Sequence, residues 1–276
     1  MSFPLLEVLR IDVCLQNAWL QQWFVGESLV ARPFPSIKDL TICGETPTIS
    51  ALLSSFPPTL VSLDLDVNDT LYNILPTVGR LSSLVHLRIF FGGYRKFSRT
   101  DFDCISRLSS LQKCHVEWGG PLPFQDGTLS SNDCLWLTDE YFKGWVSNLP
   151  QLRDLFLALN SATITQSSLQ SLADSCPSLL KCQLMWEHDL NTWTSLGAPL
   201  FPSLTFLHLG KVKDHGCRRS HAVINENASR DVKLIRSLAP KLTSFLTNHE
   251  SVSFDYRSNV WPPYEMALKI AFEAGV

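Results

Sequence analysis

The stretch Leu204-Thr205-Phe206-Leu207-His208-Leu209 carries apolar side chains at its first, fourth and sixth positions, and variants of it recur along the whole chain. Eight further segments fit the frame: Leu6/Leu9/Ile11, Ile37/Leu40/Ile42, Leu60/Leu63/Leu65, Leu84/Leu87/Ile89, Leu111/Cys114/Val116, Leu152/Leu155/Leu157, Leu179/Cys182/Leu184 and, more weakly, Leu242/Phe245. Seven of the nine have a proline one to three residues ahead, as in Phe34-Pro35-Ser36 and Phe201-Pro202-Ser203. First positions are spaced by 31, 23, 24, 27, 41, 27, 25 and 38 residues, so the chain repeats itself at a nearly fixed period. Within each frame, apolar and variable residues alternate as a short strand with one buried face requires.

Most of these spacings fall in or near the window of roughly 20–29 residues that marks leucine-rich repeats. That pattern places Asn or Cys at the ninth position, where an Asn amide satisfies backbone groups as the chain leaves the strand. Asn68, Asn160 and Cys14 stand there; Gly92, Gly119, Glu187 and Val212 stand there in other repeats, so the ladder is degenerate. Between frames, Ile49, Leu52, Leu53 and Phe56 form an amphipathic stripe at helical spacing. So do Tyr141, Phe142, Trp145, Val146 and Leu149, and Leu169, Leu172, Ala173 and Cys176, with a weaker case at Val232, Ile235, Arg236 and Leu238. Asp139 and Ser167 are the expected caps of two of these helices. The expected fold is an α/β leucine-rich repeat solenoid, a horseshoe with parallel strands on the concave face and helices outside. It spans 1–276 as a single array of about nine irregular repeats.

Two intervals overshoot the period, and polar insertions are expected near 117–138 and 210–231, the second as a surface loop. The interval from Gln16 to Phe34 also runs long, with Trp19, Leu20, Trp23 and Phe24 on one expected helix. A C-terminal cap is expected near 261–276, from Trp261-Pro262-Pro263 through Tyr264, Leu268, Ile270 and Phe272. The first frame begins at Leu6 with no cap ahead of it, so the array reads as truncated at its start, its open edge left to a preceding domain or a partner.

The chain has 23 basic and 26 acidic residues, a net charge of −3, which makes no electrostatic case for nucleic acid or membrane. No apolar run reaches the roughly 18 residues of a membrane span, and Met1 to Glu7 does not read as a secretory signal. Of eight cysteines, Cys114 and Cys182 hold inward frame positions, and Cys104 and Cys176 hold apolar helix positions. They read as small buried hydrophobes, which points to an intracellular protein, cytoplasmic or nuclear. The stretch Asp64-Leu65-Asp66-Val67-Asn68-Asp69 begins like a calcium loop, yet Asp69 replaces the glycine and Leu75 the glutamate that such a loop needs. No phosphate-binding glycine loop, nucleophile elbow or zinc-protease motif occurs, so no catalytic residue, metal or cofactor is expected.

The outward positions carry the remaining information. The first three repeats are small and acidic there, with Asp39, Asp64 and Asp66. From the fourth onward the same surface holds Arg88, Phe90, Phe91, Lys113, His115, Trp118, Phe156, Lys181, Met185, Trp186, Phe206 and His208. Large aromatics with basic neighbours are the material of interaction hot spots. The expected binding site is therefore Arg88, Phe90, Lys113, His115, Trp118, Phe156, Met185, Trp186, Phe206 and His208, with Phe156, Trp186 and Phe206 as apolar anchors. Arg88, Lys113 and His115 would orient an acidic or phosphorylated group of a protein partner. At the eighth frame position an alternative stands open, in which Phe91, Trp118 and Trp186 turn inward and cover the core.

The irregular frame, the lead-ins Pro177-Ser178-Leu179 and Pro202-Ser203-Leu204, and the run from Leu172 to Leu179 resemble the leucine-rich repeats of F-box proteins, particularly those of filamentous fungi. The resemblance covers roughly Phe3 to Leu246 and implies the substrate-recognising subunit of a ubiquitin ligase. The family's F-box, a helical module ahead of the repeats, is not in this sequence, so a ligase scaffold is expected as a partner only if an F-box lies upstream of Met1. The alternative is a free-standing interaction scaffold.

Overall fold

The structure, a computed structural model, describes residues 5–12, 34–69, 73–92, 97–118, 134, 136–159, 164–213, 221–247 and 263–275. The expected helix around Trp19 to Phe24, most of the 117–138 insertion, Cys14 and Asn160 lie outside them. The chain divides into two compact units, Met1–Gly120 with Asn148–Leu152, and Pro121–Ser147 with Arg153–Val276.

In the first unit, strands β1 (Val8–Asp12), β2 (Asp39–Gly44), β3 (Ser62–Val67), β4 (His86–Phe91) and β5 (Lys113–Trp118) pair in parallel and in sequence order. The frame residues stand opposite one another: Leu9, Leu40, Leu63, Leu87 and Cys114 in one row, and Ile11, Ile42, Leu65, Ile89 and Val116 in the next. From β2 to β5 both rows are buried, while the residues between them stay partly open to solvent. The alternation continues two residues past the frame, so Val67 and Phe91 at the eighth position are also buried.

The proline lead-ins have a structural reason. In Phe34-Pro35-Ser36-Ile37 the Ile37 amide donates to the Phe34 carbonyl at 3.5 Å, closing a β-turn with Pro35 at its second position, where a fixed φ suits it. Cys176-Pro177-Ser178-Leu179 (3.1 Å) and Phe201-Pro202-Ser203-Leu204 (3.3 Å) repeat this in the second unit. Leu81-Ser82-Ser83-Leu84 makes the same turn with serine at 3.0 Å. Two amides at the strand entry then share one carbonyl of the previous repeat, as Val85 and His86 do on Val61 at 2.8 and 3.1 Å.

Helix α1 (Thr46–Ser55) buries Ile49, Leu52 and Leu53, and short helices α2 (Leu75–Val78) and α3 (Arg99–Ile105) follow. Their starts are tied by carboxylates. Asp69, after β3, accepts from the Thr46 amide and from its hydroxyl at 3.1 Å. Asp101, 1% exposed, accepts from the Ser98 amide at 2.8 Å and from the Asn73 side chain. Asn68 at the expected ladder position is exposed, with its amide 3.7 Å from the Cys43 sulfur.

The second unit runs α4 (Asp139–Ser147), β6 (Asp154–Leu157), α5 (Gln166–Ser175), β7 (Lys181–His188), a 3-10 helix (Leu190–Ser195), β8 (Phe206–Val212), α6 (His221–Leu238), β9 (Ser244–Thr247) and α7 (Pro263–Glu273). Strands β6 to β9 again pair in parallel and in order. Thr138, not Asp139, caps α4, its hydroxyl accepting from the Tyr141 amide at 3.2 Å. The Asp139 carboxylate instead reaches the start of α5, where it accepts from the Thr165 amide at 2.8 Å and the Ser168 hydroxyl at 2.5 Å. The insertion expected as a loop near 210–231 is corrected: from His221 onward it is the first half of α6. Its apolar stripe begins earlier than Val232, with Ala228 and Ile224 buried one and two turns ahead. Helix α7 packs against α6 and β9; the Arg236 guanidinium lies 4.6 Å from the Phe272 ring centre and donates to its carbonyl at 2.9 Å.

The β7–β8 ladder shifts register between Leu184 and Glu187, and Gly210 sits at that irregularity. A methyl group on Gly210 would lie 2.4 Å from the Met185 carbonyl carbon and 2.6 Å from its oxygen, so only glycine lets the two backbones approach. Gly144 in α4 has nothing within 4 Å of that position. Urea unfolding should therefore show Gly210→Ala destabilised by at least about 2 kcal/mol. Gly144→Ala should be stabilised by roughly 0.5–1 kcal/mol.

Candidate functional site

Strand pairing decides which outward side chains meet. In the first unit Asp64, Arg88 and His115 are in-register neighbours on β3, β4 and β5. Arg88 Nη1 donates to Asp64 at 3.0 Å, while Nε and Nη2 donate to the two oxygens of Glu117 at 3.2 and 3.4 Å, a forked bond. Its guanidinium also lies 5.7 Å from the Phe90 ring centre, and Phe90 is half-buried. His115 Nδ1 stands 3.6 Å from Glu117. Burial alone would push the Glu117 carboxyl up, but hydrogen bonds from His115 and Arg88 outweigh it and hold the group below the ordinary range.

This corrects the expected division of labour. Arg88 was to meet an acidic ligand while Asp64 stood aside; instead Asp64 and Glu117 already satisfy Arg88 on two sides. Lys113, half-buried beside exposed His86 in the next row, carries no ion pair among the described residues. Trp118 completes β5 opposite Phe91, and its side chain lies outside what the structure describes.

In the second unit, Phe156, Gln183, His208 and Leu246 form one row across β6 to β9, and Asp154, Lys181, Phe206 and Ser244 form the next. Phe156, Met185, Phe206 and His208 are all half-buried, and Leu246 is 37% exposed. Phe206 meets the His208 ring edge-on with centres 6.4 Å apart, and the His208 ring lies 3.2 Å from the Gln183 side-chain oxygen. This face has aromatic and thioether area with polar tips between.

Trp186 does not belong to it. It is 3% exposed and packs edge-on to Phe142 at 6.4 Å and against His188 at 5.5 Å, so its placement as an outward anchor is corrected to core. The reason is the plain alternation of β7, whose buried residues are Cys182, Leu184, Trp186 and His188. An eighth frame position has the same parity as the fourth and sixth and faces the same way. Phe91 follows the same rule.

His188 was not singled out from the sequence, and it is the one buried histidine among the described residues. Its Nε2 lies 3.2 Å from the Leu184 carbonyl oxygen, and the Trp193 ring meets it edge-on at 5.8 Å. Burial pushes this imidazole down to about 4, against a smaller opposite effect of the Leu184 bond. Burial likewise pushes the Cys176 thiol up to about 12 and raises that of Cys182, so neither is a nucleophile at neutral pH. Among the described residues no group of three or more His, Cys, Asp or Glu is placed to hold a metal ion, and no helix is long and apolar enough to cross a membrane.

No protein-family model matches the chain, and neither does any curated protein. Among solved structures it is similar to the leucine-rich repeat-containing protein LegL7 from Legionella pneumophila, at 12% identity and a TM-score of 0.37, over 98% of this chain and 91% of that one. It is also similar to a chain of the complex of Rad7 and Elc1 in yeast, at 14% identity and a TM-score of 0.28, over 80% of this chain and 73% of that one. Likenesses this distant add no argument to the fold, which the in-register parallel ladders and the repeated frame establish.

The neutral state of His188 has a measurable consequence. Its folded value lies below the unfolded one of about 6.5, so the unfolded chain takes up a proton that the fold refuses. The stability it contributes is complete above pH 6.5 and is lost as pH falls towards 4. By pH 5 the loss should reach about 2 kcal/mol. Urea midpoints measured from pH 7 to pH 4.5 should fall more steeply for the native chain than for His188→Phe, whose ring cannot titrate.

Proposed function

We propose that the chain is a non-enzymatic protein-recognition module, the leucine-rich substrate-recognition part of an F-box-like ubiquitin-ligase adaptor. The observation that supports recognition is the outward strand face of the second unit. Phe156, Met185 and Phe206 keep part of their aromatic or thioether surface in water there, on rigid strands. Side chains that stay exposed yet fixed bind without a large ordering cost. The adaptor part of the proposal rests on the repeat resemblance in sequence. The rival reading is a free-standing scaffold, which the same face would serve equally.

The partner is a protein segment that lays apolar side chains on Phe156 and Phe206. On the first unit Lys113 and His115 remain the proposed orienting groups, while Arg88 is held by Asp64 and Glu117 and serves the structure. The apolar face of the second unit is proposed as a surface in its own right.

Two comparisons test this. Affinity for a partner captured from cells and then purified should fall by at least about 1–2 kcal/mol in Phe156→Ala or Phe206→Ala, with the melting temperature nearly unchanged. Trp186→Ala should instead lower stability by roughly 3–5 kcal/mol, as for a buried aromatic. Loss of folding in the Phe156 and Phe206 variants, with binding by the folded fraction intact, overturns the site. For the ligase role, a chain restored with any F-box encoded upstream should capture the ligase scaffold; failure to do so leaves the free-standing scaffold.

A further inference from the structure

Backbone satisfaction decides what can lie on the outward face of the second unit. Strands β7 and β8 each have a parallel neighbour on both sides, so their N–H and C=O groups are taken by the ladders. The polar side chains in the middle of the face are also engaged, with the His208 ring 3.2 Å from the Gln183 oxygen. An extended segment laid there finds no ladder to join, and each of its backbone groups that the contact shuts from water costs about 1–3 kcal/mol. A helix bonds those groups internally and brings only side chains to the face.

The apolar side chains are spaced for a helix. Phe156, Gln183, His208 and Leu246 form one row across β6 to β9, and Phe206 stands two residues earlier on β8. With neighbouring strands about 4.8 Å apart, Phe206 lies about 10 Å and Leu246 about 14 Å across the strands from Phe156. Positions i, i+7 and i+11 of one helix share a face, and the second and third lie about 10 and 16 Å along its axis from the first. A helix that crosses the strands can therefore set three apolar residues on Phe156, Phe206 and Leu246, all of them part-exposed.

Charge chooses the polar flank of that helix. At the entry end of the strands Arg153, Lys181 and Lys241 are exposed, and none of the three has an ion pair among the described residues. Asp154, in register with Lys181, is half-buried and is the one acid in these rows. Cations therefore outnumber carboxylates at this end, and an acidic flank is complementary to it where a basic one is not.

We propose that the outward face of the second unit receives an acidic, amphipathic α-helix of a partner protein. The helix lies across β6 to β9 with its apolar residues on Phe156, Phe206 and Leu246 and its acids towards Arg153, Lys181 and Lys241. The inference deepens the reading of the chain as a protein-recognition module and rests on it for the face that is used.

The test presents the full chain to a displayed library of random peptides long enough for four helical turns, then measures the enriched peptides as synthetic products. Enriched sequences should carry apolar residues at i, i+7 and i+11 with Asp or Glu beside them, and circular dichroism should show a gain of helix on binding. Arg153→Gln with Lys181→Gln should weaken the best peptide by about tenfold at low salt and by less at high salt. Both side chains are exposed, so folding should hold. Leu246→Asp should also weaken it by about tenfold or more, at a side chain 37% exposed. No enriched family, enrichment of extended or basic sequences, or unchanged affinity in either variant overturns the proposal. If no helix binds while a purified partner still loses affinity in Phe156→Ala, the recognition face stands and the helix falls. If the helical peptides bind as expected while that partner is indifferent to Phe156→Ala, the helix site stands and the partner's site lies elsewhere.

Discussion

Stacking parallel strands in register imposes one constraint on everything else in the molecule. Each inward side chain must sit over the equivalent side chain of the repeat before it, about 4.8 Å away. Leu40, Leu63 and Leu87 meet that demand in one row, and Ile42, Leu65 and Ile89 in the next. A slip of one residue would turn a whole row into water, so the register is strongly held. The turn that ends in the first frame leucine enforces it locally. A proline or serine fixes the turn, and two amides grip a single carbonyl of the previous repeat before the strand begins. The helices follow, because carboxylates such as Asp69 and Asp139 leave one repeat to bind the helix start of another.

The same register governs the outward face, where it acts on charge and not on packing. On the first unit it sets Arg88 beside Asp64, and Glu117 closes the pair from the next strand. The result is a network in which cation and anions satisfy one another before any ligand arrives. On the second unit the outward rows hold Phe156, Met185 and Phe206, and no ion pair can dissipate aromatic area. The two surfaces differ in chemistry: mutually satisfied charge on one, part-exposed apolar area on the other.

The fold was legible because its signal is redundant. Nine copies of one frame survive the loss of any leucine, and Cys114 and Cys182 stand in for leucine without disturbing the row. The site was legible only in part, for two physical reasons. Parity was the first: Trp186 is four residues past Cys182 on one strand, and strand geometry alone sends it to the core, as it does Phe91. Pairing was the second. Arg88 and Glu117 are 29 residues apart in sequence, and their bond is visible only once the repeats are aligned and position five of one is compared with position seven of the next. The start of α6 was hidden differently, since its polar first turns look like an inserted loop until Ile224 and Ala228 are joined to Val232 and Ile235 as one stripe.

Register also decides how closely outward charges on neighbouring strands meet. Along most of β7 the inward residues are covered by neighbours and the outward ones have cross-strand partners. At its carboxyl end the ladder shifts between Leu184 and Glu187, and Gly210 removes the side chain that would have faced Met185. Past that irregularity Glu187 and Asp189 lie 3.9 Å from Lys211 and Lys213, and Asp189 also accepts from the Asn191 amide at 3.1 Å. Compare Arg88, whose contacts at 3.0 and 3.2 Å leave little to be gained by exchange. A ligand binds by improving on the contacts it displaces. By that measure the first unit's well-formed ion pairs are structure, formed before any partner arrives.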